Sequence, residues 1–442
     1  MKLKKAGLNV FSVSLVTGLF GCQSQPQQET VASLQEQHEK FYQQVMLAAP
    51  VLPADLTNIP MQAHLVGNRV AQSHYKTAAQ VNYSQLGWQQ RVAADWHYFD
   101  IPTSQGKLLV IDYQQQGNHL AYRYLANGTQ NDLYEPWSSS KIQAFSGAIA
   151  KVRQINPELG ADALIGDSNV ADLITSINSY EHFGSADGNS NAIASYFINV
   201  AGRDYLSNLF ADNWLKLNDS RIMFKGAYAT EIFTPSTIRW QSTDSDVIAS
   251  NIAYFTVNTD DPAYLDYRCD GCGLTGNKAM TTLAQAEWLK RLASHTREPL
   301  TQQPLLQAQD IDVLFNGTGN TDKTAKVGGM MQGLSQMITD SLAQALAPDD
   351  TRPAKQILDE LTQGQWRVWQ KIGWGPSETR STTETVMLAH VYLPFIQGGR
   401  EFTLAAQNSV PGASEKNLAV VGLKMQANFT HAFKQLLIPQ KQ

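Results

Sequence analysis

The residues best suited to chemistry are a serine and a lysine three positions apart. Ser138 and Lys141 bound the run Ser-Ser-Ser-Lys, which opens a predicted helix. Residues i and i+3 share one face of a helix, so the hydroxyl and the amine lie side by side. A lysine shielded from water has a lowered pKa and can take the hydroxyl proton, and the positive helix N-terminus favours the charge that develops. The pair can make a nucleophile, although serine is also a common helix cap.

Two later segments carry residues that could complete such a site. Residues 189–191, Asn-Ser-Asn, stand at the start of a helix-like run. Residues 371–373, Lys-Ile-Gly, close a predicted strand that leads into two more strands and a last helix. A lysine and a glycine on an inner edge strand would bring a second cation and unobstructed backbone against a bound acyl group.

This combination resembles the superfamily of serine β-lactamases and penicillin-binding D,D-peptidases, in a class A-like form, whose motifs are SxxK, SxN and KTG. The resemblance covers roughly residues 107–437, in the family's order. It implies that Ser138 is acylated, that Lys141 is its base or proton relay, and that Asn191 holds the substrate amide and the lysine. Lys371 would take the place of the third-motif lysine. The oxyanion hole would use the N–H groups of Ser138 and Trp374.

Two positions depart from the family pattern. Asn189 stands where the family has serine, and its amide can hydrogen-bond but cannot shuttle a proton at neutral pH. Ser190 or Ser185 would substitute if the local loop differs. Ile372 replaces the threonine and removes a hydroxyl near the place of a substrate carboxylate. With Ser190 and Gly373, these two positions are predicted to contact the substrate.

Two further segments carry residues that could take part in such a site. Residues 317–319, Gly-Thr-Gly, are a rival third motif, but they lack the lysine and precede a helical pattern. Glu231 is the only glutamate between Asn191 and Cys269, and the ExxxN context of the class A deacylating loop is missing. We therefore expect Glu231 to be a surface or strand-end carboxylate.

The N-terminal sequence indicates targeting to the cell envelope. Basic residues precede an apolar stretch that is too short to span a bilayer and ends at Gly21 and Cys22. This resembles the lipobox of bacterial lipoproteins, with an ordinary signal peptide as the alternative. Gln23, rather than Asp, follows the cysteine, which resembles the pattern of lipoproteins that are sorted to the outer membrane. We expect a lipoprotein on the periplasmic face of the outer membrane, anchored through lipid at Cys22.

The two remaining cysteines, Cys269 and Cys272, favour a small disulfide loop in an oxidising compartment, with a redox CxxC as the alternative. No metal or organic cofactor is expected, because the nine histidines are scattered singly. The composition is that of a globular protein, with 43% hydrophobic residues and a net charge of -5. Without a basic stripe it does not favour nucleic acid.

The sequence predicts some of the strands and helices that must position the site. Two strands at about 108–113 and 120–125 form a predicted hairpin, and strands at 365–373, 385–393 and 400–408 precede a helix at 414–437. One helix is predicted at 31–49, and another is predicted at 281–292 within a largely helical middle part of the chain. The prediction is an α+β fold, an antiparallel sheet flanked by helices plus a mostly helical subdomain.

The domain prediction has three parts. Residues 1–21 are the signal peptide, 22–88 a Gln-rich stalk and an N-terminal segment of unknown fold, and 89–442 the β-lactamase/D,D-peptidase-like domain, with a helical insertion around 205–350. The resemblance implies a serine hydrolase that forms an acyl-enzyme with peptidoglycan stem peptides, β-lactams or a related amide or ester. The alternative is a non-catalytic envelope lipoprotein that binds wall peptides or a protein partner.

The anchor at Cys22 is directly testable. Acyl chains supply about 0.8 kcal/mol of membrane affinity per buried methylene, so Cys22→Ser should release the protein from membranes or stall its processing. Fractionation of cells that express the variant and the parent measures this. A processed Ser variant that stays with membranes like the parent would contradict the anchor.

Overall fold

The computed structural model describes residues 31–57, 74–244, 247–267 and 276–438. The helices of these residues, α1 to α11 in chain order, are Val31–Phe41, Ala78–Val81, Lys141–Ile155, Val170–Ser179, Ser190–Ala201, Arg203–Phe210, Thr282–Ala293, Ala308–Asn316, Met337–Leu346, Ala354–Thr362 and Leu418–Leu437. The strands, β1 to β11, are Lys76–Thr77, Ala94–Asp95, Lys107–Gln116, His119–Ala126, Ala163–Ile165, Ser168–Asn169, Arg239–Ser242, Ala249–Asn251, Arg367–Ser377, Thr382–Leu393 and Arg400–Pro411.

One sheet organises the molecule. Its strands follow the order β1-β4-β3-β11-β10-β9, with antiparallel neighbours throughout, and β2 runs parallel beside β4. Helix α11 packs on β10 and β11 from one face, and α7 packs on β3, β10 and β11 from the other. Because both faces are covered, residues 108–114 of β3 are all buried. The predicted α+β fold class is confirmed.

The predicted strands are present but longer than the pattern suggested. The hairpin is β3 and β4, and the three C-terminal strands are β9, β10 and β11. Strand β9 continues to Ser377, beyond the predicted strand end at residue 373. The pairing of Gly375 with Glu384 shows that the ladder with β10 extends this far. A glycine is a turn signal in sequence, but here Gly375 leaves room for the indole of Trp137 against the strand.

The second layer is helical and carries the first two motifs. Helix α3 packs against α5, and α4 packs against α5 and α8. Helix α3 is buried along most of its length, which explains why its apolar residues surround the axis rather than forming one stripe.

The insertion around 205–350 is not purely helical, which corrects the sequence prediction. Between α6 and α7, the described residues contain β7 and β8. These strands extend β5 and β6 into a small sheet of order β6-β5-β7-β8, in which Trp240 is fully buried. Short antiparallel pairing satisfies the backbone of a segment whose apolar residues follow no helical period.

The N-terminal segment, whose fold the sequence left open, packs on the same body wherever it is described. A π-helical turn, Tyr42–Met46, follows α1 and buries Met46 completely against α11. On the opposite side, the Trp88 indole donates to the carbonyl of Leu215 at 2.7 Å. In the described part of the chain, no helix is both long and apolar enough to cross a membrane. Cys22, Cys269 and Cys272 lie outside the described residues.

The contact that joins the two layers is made by a glycine. A Cβ on Gly373 would lie 2.4 Å from the backbone nitrogen of Ser138 and 2.8 Å from Cβ of Trp137. The 3-10 turn Trp137–Ser140 is therefore seated directly on edge strand β9.

Because backbone atoms cannot yield as a flexible side chain can, Gly373→Ala should separate this turn from β9. Overpacking of this kind costs about 1–3 kcal/mol, so we expect a lower free energy of unfolding in urea titrations of the soluble protein. An unfolding midpoint equal to that of the parent would contradict the close approach.

Candidate active site

The 3-10 turn before α3 selects one of its three serines. Ser139 Oγ donates to the Pro136 carbonyl at 2.6 Å, and Ser140 Oγ donates to the Trp137 carbonyl at 2.9 Å. Both side chains are buried, whereas Ser138 is half-buried and lines a cleft of about 680 Å³. Trp137 adopts a left-handed φ of 49°, and its indole donates to Glu384 Oε2 at 2.8 Å. Of the three hydroxyls, that of Ser138 is the one presented to the cleft.

Lys141 is fully buried and held by helix α5. Its Nζ donates to Ser190 Oγ at 2.8 Å and to Asn191 Oδ1 at 2.6 Å. Ser190 Oγ donates its own proton to the Ile177 carbonyl at 2.8 Å, so it accepts from the lysine. Burial lowers the pKa of Lys141 well below its ordinary value, and the charge of Lys278 lowers it further. A neutral amine has two N–H groups and one lone pair, so these two acceptors leave the lone pair free to take a proton.

The second motif differs from the predicted alignment by one residue. Asn189, expected in place of the family's serine and as a substrate contact, is the N-cap of α5 and accepts from the Ala192 N–H at 3.1 Å. Its amide nitrogen donates to Glu231 Oε2 at 2.9 Å. Ser190, the first residue of α5, contacts Lys141 instead. Ser185, the other alternative, donates to Asp172 Oδ2 at 2.8 Å.

Strand β9 places alternate residues on opposite sides. Lys371 and Gly373 face the turn of Ser138, while the side chain of Ile372 is fully buried in the core with α11. This corrects the prediction that the Ile372 side chain contacts the substrate. Lys371 Nζ is also buried and has no hydrogen-bond partner among the described residues. Burial, followed by the charge of Lys141, lowers its pKa well below the ordinary value.

The backbone of β9 indicates where a second oxyanion donor lies. The Ile372 carbonyl accepts from the Tyr180 hydroxyl at 3.0 Å, so it points away from β10, along the free edge of the sheet. In an antiparallel strand the N–H and C=O of one residue point the same way, and residues i and i+2 share that direction. The Trp374 N–H therefore lies on the same edge as the Ile372 carbonyl, beside the turn that holds Ser138.

Tyr180 is the site residue that the sequence did not reveal. It ends α4 in a left-handed conformation with φ 60°. Its ring centroid lies 3.7 Å from Lys371 Nζ, 5.1 Å from Lys141 Nζ and 5.5 Å from the Trp374 ring. Burial raises its pKa, and a hydrogen bond with the Ser138 side chain offsets part of that rise. No motif spacing identifies Tyr180 in the sequence, because its place in the site depends on where α4 ends.

The outer cleft mixes aromatic and paired charged groups. Lys278 Nζ lies 3.0 Å from Glu135 Oε1, and the Tyr228 hydroxyl shares a 2.7 Å hydrogen bond with Ser140 Oγ. The residues that line the cleft include Glu135, Tyr228, Lys278, Trp137, Ser138, Asn191, Tyr264, Tyr267 and Trp374. In the described ranges, no group of three or more His, Cys, Asp or Glu side chains could hold a metal ion.

The rival third motif has a structural role. Gly317 ends α8 in a left-handed conformation with φ 65°, and a Cβ there would lie 2.4 Å from Cα of Gly328. Thr321, just beyond it, donates its N–H to Asp172 Oδ1 at 2.8 Å. The loop is thus tied to α4 and does not replace residues 371–373 beside Ser138.

Comparisons with known proteins complete the description. No family model matches the chain, and no curated protein matches it. Among solved structures, a β-lactamase from Streptosporangium roseum is similar at 12% identity, with 75% of this chain and 95% of that chain covered and a TM-score of 0.37. A class A β-lactamase from Bacteroides cellulosilyticus is similar at 10% identity, with 76% and 93% covered and a TM-score of 0.39. PBP-A is similar at 10% identity, with 75% and 89% covered and a TM-score of 0.37.

These solved structures are of the kind that the three sequence motifs resemble, serine β-lactamases and penicillin-binding proteins. The chemistry of this chain rests on its own site.

The different placement of Ser190 and Asn189 predicts different effects on acylation. Ser190→Ala leaves one N–H of buried Lys141 without an acceptor, so we expect acylation of Ser138 by an activated ester to fall at least about tenfold. Asn189→Ala removes a helix cap, so it should cost about 1 kcal/mol of stability and leave acylation nearly unchanged. Burst kinetics and thermal unfolding of both variants separate the two effects. Equal losses of acylation would contradict the assignment.

Proposed function

We propose that this protein is a serine acyl-transfer hydrolase that acts through Ser138. The observation that carries the proposal is the state of Lys141: a buried amine with two acceptors for its N–H groups, three residues after the serine that lines the cleft. Perturbed pKa values at a cleft are typical of catalytic acids and bases. Lowering the pKa of a lysine increases the share of its neutral amine, which is the form that can act as a general base.

The reaction follows from the placement of these groups. Ser138 Oγ attacks the carbonyl carbon of an amide or ester, and its proton passes to Lys141 Nζ, which becomes an ammonium. The N–H groups of Ser138 and Trp374 stabilise the oxyanion. Collapse of the tetrahedral intermediate breaks the bond to the leaving group, which takes the proton back from Lys141. The Ser138 ester that remains is hydrolysed by water.

The second half-reaction is expected to be slow. Glu231 is exposed, accepts from the Asn189 amide, and is not among the residues that line the cleft. Glu135 lines the cleft but is paired with Lys278. Neither of these two carboxylates favours rapid activation of a deacylating water, and on this basis an acyl-enzyme should accumulate.

The proposed substrates are peptidoglycan-like peptides, β-lactams or a related amide or ester, met by a lipid-anchored protein in the cell envelope. A second candidate is a binding protein that keeps the cleft without the chemistry. The observation that favours it is Lys371, whose ammonium lies beneath the Tyr180 ring rather than open to the cleft. A test of covalent labelling distinguishes the two.

The purified soluble protein should form a stable adduct with a fluorescent penicillin or an activated thioester. Ser138→Ala should abolish the adduct, and Lys141→Gln should slow its formation by at least about 100-fold, in the range found for loss of a general base. Because the pKa of Lys141 is lowered, acylation should persist to a lower pH than an ordinary lysine base would allow, and it should fall as acidification protonates Lys141. Intact-mass spectrometry across pH measures all three.

Ser139→Ala is the matched control, because its hydroxyl is tied to the Pro136 carbonyl. It should label like the parent. Labelling that survives Ser138→Ala would contradict the proposed nucleophile. A folded parent protein that no probe labels would leave the binding-protein candidate.

A further inference from the structure

The tyrosine at the end of α4 touches parts of the site that come from separate segments of the chain. Its hydroxyl donates to the Ile372 carbonyl at 3.0 Å, and its ring faces Lys371 Nζ at 3.7 Å and Lys141 Nζ at 5.1 Å. The Trp374 ring packs against it at 5.5 Å. Tyr180 therefore connects the first-motif helix with the third-motif strand.

We propose that Tyr180 is a positioning residue of the acyl-transfer centre: its ring face favours the protonated form of Lys371, and its hydroxyl fixes the free edge of β9 beside Ser138. The role in acyl transfer rests on the function proposed above, whereas the effect on Lys371 does not. The nearer ring contact, at 3.7 Å, lies well within the distance at which a cation is attracted to an aromatic face.

The surroundings of Lys371 give the ring its importance. Lys141 on α3 is the charged neighbour that affects Lys371, and it repels the ammonium. On β10, the register partner is the apolar Leu388. The turns Trp137–Ser140 and Gly329–Gln332, which also pack against β9, carry no charged side chain. In this part of the structure the Tyr180 ring provides a favourable contact for a charged Lys371.

Lys141 differs from Lys371 in its partners. It is faced by Ser190 and Asn191 on α5, by the ring of Tyr228 at 5.2 Å, and by the charge of Lys278, which is itself paired with Glu135. A neutral Lys141 fits its two acceptors, while a protonated Lys371 fits an aromatic face. A cation at Lys371 would in turn disfavour a second charge on Lys141, which keeps the proposed base neutral.

The direct test measures the charge of Lys371 without relying on activity. Protein labelled with ¹³C at the lysine ε carbon is titrated by NMR, and the Lys371 signal is assigned by its loss in Lys371→Gln. Tyr180→Leu removes the aromatic face and should lower the Lys371 titration midpoint by about one pH unit. Tyr180→Phe keeps the face, so its midpoint should match the parent while acylation falls about fivefold with the lost hydrogen bond.

The matched control is Tyr205→Leu, which removes a ring that lies 5.3 Å from Lys151 Nζ on another part of the surface. It should change neither the Lys371 midpoint nor acylation. If Tyr180→Leu does not fold, Tyr180→Met offers a flexible side chain without an aromatic face. An unchanged Lys371 midpoint in the folded variant, or an equal shift in Tyr180→Phe, would overturn the proposal for the ring.

Acylation kinetics of the same variants test the hydroxyl. An acylation rate in Tyr180→Phe equal to that of the parent would overturn its role on β9. If the parent protein forms no adduct at all, the proposed function fails, and the role in acyl transfer falls with it. The NMR titration then still decides whether the ring controls the charge of Lys371.

Discussion

The site depends on the burial of two lysines against one tyrosine ring. Lys141 and Lys371 are both fully buried, and neither has a carboxylate partner among the described residues. Desolvation disfavours the charged form of each, and each disfavours the charge of the other through repulsion. Both effects favour the neutral form of these amines, which is the form that can accept a proton.

A third buried lysine shows the ordinary solution. Lys290 on α7 is equally buried, but its Nζ lies 3.0 Å from Glu287 Oε1. Arg291 contacts the same oxygen at 2.7 Å. The pKa of Lys290 is lowered only to about 8, because the carboxylate offsets part of the burial. Helix α7 thus pairs its buried charges, whereas Lys141 and Lys371 are buried without a carboxylate partner among the described residues, an arrangement that is common at functional sites.

The geometry also requires backbone to touch backbone. Residues 137–140 reach β9 because Gly373 has no side chain, and Gly375 accepts the indole of Trp137 in the same way. That indole is fixed by Glu384, which is held in turn by Arg380 at 2.8 Å. Losing the side chain at two alternate positions of an edge strand weakens the strand, but it brings the Ser138 N–H beside the edge that carries the Trp374 N–H.

Much of this was legible in the sequence. The spacing of Ser138 and Lys141 at a helix start, the lysine and glycine of residues 371–373 and the order of strands and helices at the C-terminal end are local patterns. They depend on periodicity and on turn chemistry, which act over a few residues. The hairpin β3–β4, the three-stranded end of the sheet and helices α7 and α11 could be predicted for the same reason.

Tertiary structure decided the rest. Motif spacing placed Asn189 in the site, but the start of α5 turned it into a cap and brought Ser190 to Lys141. Tyr180 lies in the site because it ends α4, and no recognisable motif marks it in the sequence. The short strands β7 and β8 lie within a region expected to be mostly helical, and β7 pairs with β5 from a distant part of the chain. Sequence determines which groups a helix turn or strand presents, but which groups meet depends on where elements begin, end and pack, and these are long-range contacts that no local pattern contains.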